Sequence, residues 1–184
     1  MILQTRRLTV RRALPQKSDI ELYYNLWTDP QVMHNVGFPD GLSISREDID
    51  KQLQSQSESE FDRLLVVELT ESAIPIGECK LGAPDSMGIA HTDIKLLPHY
   101  WGQGLGSELK PALLEYLFKN TDCKIVQATP NLENTASQKM QEAAGLRRVG
   151  QDVYRFPENM RVYTRAVHHY IYQISRADWE KSRK

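Results

Sequence analysis

Three glycines at alternate positions stand between an extended segment and a helical one. They are Gly102, Gly104 and Gly106, within the sequence HYWGQGLGSELK over residues 99–110. A backbone that lacks side chains at alternate positions can approach a ligand closely. The following helix adds unpaired N–H groups and a partial positive charge at its N-terminus. The stretch therefore predicts a phosphate-binding loop, with a glycine-rich packing turn as the alternative.

Two common phosphate-loop patterns do not fit this stretch. A Walker loop needs a lysine directly after its last glycine, and Ser107 stands there instead. A dinucleotide fingerprint reads G-x-G-x-x-G, and Ser107 again takes the place of the final glycine. A nucleotide-binding protein stays open as an alternative only because glycine-rich loops resemble one another.

The residues before the glycines read as two helices and a run of strands. Leu8 to Val10 alternates like an edge strand, and the next segment fits a helix with Ser18 at its N-cap. Ser45 caps a second helix, whose first turn is acidic. Three extended segments then follow in succession: 64–67, 74–81 and 88–97.

The residues after the glycines alternate between helix and strand. Apolar residues over 105–117 form one stripe of a helix, with Pro111 inside it. If Ser107 is the N-cap, Pro111 falls near the tolerated first turn, which predicts a distorted start. Another strand, a helix opened by Asn134 and further strands complete the chain. This mixed order predicts one α+β domain over residues 1–184 with helices on both faces of a sheet.

Charge, cysteine content and apolar runs restrict the classes of function that this chain can have. The formal net charge is −1, so nothing global attracts the chain to nucleic acid or to a membrane. The arginine pairs at 6–7 and 11–12 are therefore expected to be solvated. Cys79 and Cys123 lack metal-ligand spacing, which predicts no metal site and a reduced compartment. No apolar run reaches about eighteen residues and no signal-peptide core is present, so we expect a cytoplasmic protein.

The segment from Pro98 to Glu108 resembles the coenzyme A pyrophosphate loop of the GNAT acetyltransferase superfamily, R/Q-x-x-G-x-G/A. Its Tyr-Trp-Gly form is the usual one in the branch resembling the RimJ/RimL ribosomal-protein N-terminal acetyltransferases. Other matching stretches follow in the family's order: Thr5–Leu8, 28–33, Ile76-Gly77, Asn134-x-x-Ser137 with Gly145, and 170–179. The resemblance implies a GNAT-like, mostly antiparallel sheet of about seven strands.

The same resemblance implies direct transfer of acetyl from acetyl-CoA to an amine, with no metal. The acceptor would be a peptide N-terminus or a small molecule, and the enzyme a monomer or homodimer. The polar, aromatic segment 151–169 is expected either to form a wall of the acceptor site or to pack on the sheet as a loop without a role in the site. The implied coenzyme contacts are the backbone of Ile94 and Leu96, the loop Trp101, Gly102, Gln103, Gly104, Leu105, Gly106 and Ser107, and Asn134. A non-catalytic acyl-CoA-binding module on the same fold is the alternative function.

The catalytic groups implied by the resemblance are less complete. Many superfamily members carry a tyrosine seven residues after the asparagine, where this chain has Gln141. The serine of N-x-x-S, here Ser137, is the thiolate-side acid in the RimJ/RimL-like branch, or else only a helix cap. The usual cleft-facing positions on the strand before the loop are Ala90 and Thr92, and neither is basic.

A basic group would then have to come from a neighbouring position on that strand. His91 is the candidate base, since its charge changes near neutral pH. His91 and Asp93 should both point to the opposite face, because side chains alternate along a strand. A water-mediated exit of the proton, with catalysis mainly by positioning, is the alternative.

Overall fold

An eight-stranded sheet forms the centre of the computed structural model, which describes residues 1–183. Its strands are β1 (Leu3–Gln4), β2 (Leu8–Arg12), β3 (Leu65–Leu69), β4 (Pro75–Leu81), β5 (Ile89–Leu96), β6 (Ile125–Ala128), β7 (Arg147–Tyr154) and β8 (Val167–Ser175). The order across the sheet is β1-β2-β3-β4-β5-β6-β8-β7. Only β5 and β6 pair in parallel. The mixed, mostly antiparallel α+β fold is confirmed, with one strand more than expected.

Helices cover both faces of this sheet. They are α1 (Lys17–Thr28), α2 (Pro30–Met33), α3 (Arg46–Gln54), α4 (Leu105–Asn120), α5 (Thr135–Ala143) and α6 (Arg176–Lys181). Helix α4 buries a leucine stripe, spaced by four residues from Leu105 to Leu117, against β2 to β6. Helices α1 and α3 pack on the opposite face around Tyr23, Ile49 and Val66. No helix within residues 1–183 combines the length and apolarity that a bilayer crossing requires.

A gap opens between β5 and β6 near the middle of the sheet. The two strands pair only from Ile89 to His91 on the β5 side. The rest of β5 stays paired with β4, from Thr92 to Leu96. Beyond His91 one edge of β5 therefore faces no neighbouring strand. The gap lies directly before the glycine loop in the chain, because β5 leads into that loop.

Two predictions for the N-terminal third are wrong, and one is confirmed. Leu8 to Val10 is not an edge strand, because the short β1 pairs with β2 and covers it. Ser18 is not the N-cap of α1, since the helix begins at Lys17 after Gln16. Ser45 does cap α3, and its capping box with Asp48 is complete.

The start of α4 also differs from the prediction. Gly104 is its N-cap, three residues before Ser107, so Pro111 lies well inside the helix. The helix nevertheless runs without a break to Asn120. Pro111 is exposed, so its ring lies on the solvent side, and the carbonyl that loses an N–H partner can bind water instead.

Candidate active site

The glycine loop presents a row of free backbone donors. Gly102 and Gly104 have φ angles of 72° and 74°, in the left-handed region that favours glycine. No hydrogen bond within residues 1–183 uses the N–H groups of residues 102–107. The first amide used again is that of Glu108, which donates to the Gly104 carbonyl at 3.0 Å. The loop and the first turn of α4 together can bind an anion.

The third glycine serves packing rather than backbone conformation. A Cβ atom on Gly106 would lie 2.9 Å from Met140 Sδ of α5, whereas one on Gly102 would meet nothing within 4 Å. Gly106 thus lets α5 approach the first turn of α4 closely. Gly102 borders open space, which leaves room for a ligand.

Trp101 ties the loop to the unpaired edge of β5. Its indole Nε1 donates to the Leu96 carbonyl at 2.7 Å. Odd-numbered residues of β5 bond to β4, as the His91 carbonyl does, and the Leu97 amide directly after the strand continues this pattern. The backbone groups of Ile94 and Leu96 therefore point into the gap. The structure brings these predicted coenzyme contacts together at one place.

The predicted acid, Ser137, lies in the first turn of α5. Asn134 is the N-cap, and its Oδ1 accepts from the Ser137 amide at 3.0 Å. Ser137 is thus the capped residue and not the cap, and its hydroxyl makes no hydrogen bond within residues 1–183. Gln141, where many relatives have tyrosine, is buried, and its Oε1 has no hydrogen-bond partner in the described residues.

A cavity of about 720 Å³ lies on the α1 and α3 face of the sheet. Trp27 and Phe38 are among its apolar walls, and Glu78, Asp93 and Lys95 line it from β4 and β5. Lys95 Nζ lies 3.1 Å from Glu78 Oε1 and also binds Asp93 Oδ2. The Trp27 indole donates to the same Glu78 oxygen at 3.2 Å. The cavity therefore holds one ammonium group between two carboxylates.

Asp93 reaches from this cavity to the backbone of the gap. Its Oδ1 accepts from the Ile94 amide at 2.9 Å, and that amide points toward β6. Burial raises the pKa of Asp93, but the nearby Lys95 ammonium outweighs burial, so the pKa lies below its usual value. Burial likewise lowers the pKa of Lys95, and Asp93 and Glu78 raise it overall. Asp93 is thus ionised at neutral pH.

A second cavity, of about 340 Å³, lies beyond the segment of residues 33–39. Met33, Val36 and Phe38 of this segment face the larger cavity, whereas His34, Gly37 and Pro39 face the smaller one. Hydrogen bonds and a ring contact join this segment to the loops around β6, β7 and β8. The ties are Arg165 N–H to Gly37 O at 2.8 Å, Asn131 Nδ2 to Asn35 O at 3.2 Å, and the edge-to-face contact of Phe38 with Phe156.

The residues near the start of β5 lie away from both cavities. His91 is exposed and lines neither of them. Partial burial, followed by the charge of Lys80, lowers the pKa of His91. Ala90 and Thr92 do not face the cleft as predicted. Ala90 packs in the core against α4, and Thr92 Oγ1 binds the amine of Lys110, a buried residue of that helix.

Two arginines that were expected to be solvated are paired in the structure, and one of them lies beside the site. Arg7 is not simply solvated, because its guanidinium is paired with Glu108 next to the glycine loop. Arg11 likewise forms a fork with the buried Asp19. Their partners lie 101 and 8 residues away, and the arginine pairs carry no sequence signal that would identify either partner.

Comparison with known proteins identifies the family. Residues 7–147 match the family model described as "Acetyltransferase (GNAT) domain". The chain is 28% identical over 152 residues to "Uncharacterized N-acetyltransferase p20" of Bacillus licheniformis, which covers 80% of this chain and 83% of that protein.

Solved structures share the fold across nearly the whole chain. A GNAT-family acetyltransferase from Bacillus anthracis superposes with a TM-score of 0.78 at 24% identity, covering 96% of this chain and 99% of that one. Spermidine N-acetyltransferase from Vibrio cholerae, solved with CoA and spermine, has a TM-score of 0.74 at 22% identity, covering 94% and 98%.

Proposed function

The chain belongs to the GNAT acetyltransferase family, and we propose that it moves acetyl from acetyl-CoA directly to the amine of a peptide N-terminus or a small molecule. The row of free N–H groups at residues 102–107, beside the gap between β5 and β6, carries this proposal. Phosphate oxygens of the coenzyme would accept from these donors. The pantetheine arm would enter the gap along the backbone of Ile94 and Leu96.

The chemistry of the transfer assigns further roles. The acceptor nitrogen attacks the thioester carbon, the N–C bond forms, and the C–S bond breaks. The amide of Ile94 would donate to the carbonyl oxygen as it becomes negative. Asp93 now accepts from that amide, so the arriving thioester oxygen would replace it and free the carboxylate.

Three proton transfers accompany these bond changes, because the ammonium loses one proton before attack, the nitrogen loses a second after the N–C bond forms, and the thiolate gains one. The freed Asp93 carboxylate would accept a hydrogen bond from the amine and orient it, while the protons leave through water, because the lowered pKa of Asp93 makes it a weak base. The hydroxyl of Ser137 would donate a hydrogen bond to the departing thiolate, as the resemblance to the RimJ/RimL-type branch implies. His91, exposed and outside both cavities, would need a chain of water molecules to act as the base.

The charges of the larger cavity do not favour an acceptor with several positive charges. Its lining carries three carboxylates and three cationic groups: Asp62, Glu78, Asp93, Arg63, Lys80 and Lys95. A polycation such as spermine would need an excess of carboxylates to offset its charge. We therefore propose a peptide N-terminus or a monoamine, in keeping with the resemblance to the RimJ/RimL-type branch.

The coenzyme half of the proposal is tested by calorimetric titration with CoA. We expect the unmodified protein to bind and Gly104→Asp to lose binding, because a carboxylate would enter the row of donors. Gly88→Asp is the matched control, since Gly88 has a similar φ of 79° at the opposite end of β5. Absence of binding by the unmodified protein at millimolar CoA would contradict the proposal.

The acyl-transfer half is tested by release of free CoA thiol with a panel of peptides, monoamines and spermine. We expect turnover with a singly charged amine, and Asp93→Asn should lower kcat about a hundredfold while CoA affinity is unchanged. Asp62→Asn, in the same cavity lining, is the control that should keep kcat. If CoA binds but no acceptor is acetylated, the non-catalytic binding module becomes the better account.

A further inference from the structure

An N-terminal turn is bound to the first turn of α4 through a single carboxylate. Glu108 Oε1 accepts from Thr5 Oγ1 at 2.6 Å and from the Arg7 amide at 2.8 Å. Glu108 Oε2 accepts from Arg7 Nε at 2.6 Å. The guanidinium also donates through Nη1 to the Gln103 carbonyl at 3.1 Å. Residues separated by about a hundred positions thus meet beside the glycine loop.

The carboxylate of Glu108 stands where a bound diphosphate makes a negative charge unfavourable. An acidic residue in the first turn stabilises a helix by itself, but it also repels an anion bound at the same N-terminus. Burial raises the pKa of Glu108, but the Thr5 and Arg7 donors outweigh burial and bring it to about 2. Glu108 therefore stays negative, and its charge has to be offset.

Arg7 is placed to offset that charge. The atom nearest to a Cβ built on Gly104 is Arg7 Nη2, at 3.7 Å, so the guanidinium lies beside the loop. The side chain of Arg7 is 38% exposed, so its charge can interact with a ligand bound at the loop. We propose that Arg7 is a positioning residue, which neutralises Glu108 and so keeps the glycine loop able to bind the coenzyme diphosphate. This inference rests on the proposed function.

A double-mutant cycle on CoA affinity tests this inference. We expect Arg7→Ala to weaken CoA binding about tenfold, because Glu108 is then an uncompensated charge. Glu108→Gln alone should bind CoA within about threefold of the unmodified protein, and the double variant should recover most of the lost affinity. Added salt should narrow the deficit of Arg7→Ala, because it screens the repulsion. A purely structural role of Arg7 would give no such rescue by Glu108→Gln.

Controls separate the possible failures. Arg12→Ala removes an ion pair with Glu58 elsewhere on the surface and should leave CoA affinity unchanged, and thermal melting checks that each variant is folded. A double variant as weak as Arg7→Ala would overturn the inference, because Arg7 would then bind the ligand itself. Failure of the unmodified protein to bind CoA would instead overturn the proposed function.

Discussion

The buried amine of Lys110 should make the stability of this protein depend on pH. Lys110 is 1% exposed on the inner side of α4, and within residues 1–183 its amine has one hydrogen bond, to the buried Thr92 Oγ1. Burial lowers the pKa of Lys110 from 10.5 to about 7, against a smaller opposing effect of Asp93. We predict that Lys110→Met removes this dependence, because methionine fills a similar volume without a titrating group.

The sign and size of this pH dependence follow from the pKa of Lys110, which is 10.5 in the unfolded chain and about 7 in the folded protein. Between pH 7 and pH 10 the unfolded chain keeps this proton while the folded chain loses it, so the free energy of unfolding rises with pH. Each pH unit in that window contributes up to about 1.4 kcal/mol, which gives about 2 to 3 kcal/mol between pH 7 and pH 9. Leaving the Thr92 hydroxyl without its partner costs Lys110→Met about 1 to 3 kcal/mol at every pH.

The measurement is urea denaturation of both proteins at pH 7, 8 and 9. The free energy of unfolding of Lys110→Met, relative to that of the unmodified protein, should fall steadily across this range. The contributions of all other titrating groups cancel in this difference. Lys119→Met, on the same helix with a side chain that is 59% exposed, is the control and should show a constant difference. A constant difference for Lys110→Met would refute the reasoning, because the amine would then be charged in the folded protein.

Three further substitutions test other parts of the structure. Ser45→Ala removes the capping box of α3 and should lower the free energy of unfolding by about 1 kcal/mol in urea. Arg176→Lys loses the planar fork that donates to the carbonyls of Phe118, Thr121 and Cys123, and should cost about 2 kcal/mol. Gly37→Ala places a Cβ 2.5 Å from the Phe156 ring at a φ of 95°. It should raise the KM for the acceptor and leave CoA affinity unchanged, whereas weaker CoA binding would mean that residues 33–39 also support the coenzyme site.

Local sequence patterns predicted the elements around the glycine loop. The leucine stripe of α4, the caps Ser45 and Asn134, and the left-handed Gly145 that ends α5 are all present in the structure. Such features depend on residues within a few positions of one another, so periodicity and capping chemistry are sufficient to find them. The N-terminal cap of α1 was misplaced because the buried Asp19 pairs with Arg11 of β2, an interaction that helix propensity does not include.

Contiguous residues with a characteristic spacing encode the α+β class and the glycine loop that we propose binds the coenzyme. Packing between distant segments sets where the strands separate, which face of β5 borders the larger cavity, and which charged groups offset one another. Asp93 joins Glu78 and Lys95 only because β4 and β5 are paired in this register. Arg7 meets Glu108 only because the N-terminal turn packs on α4. The energy of an ion pair depends on the distance between its charges in space, which cannot be inferred from their separation along the chain.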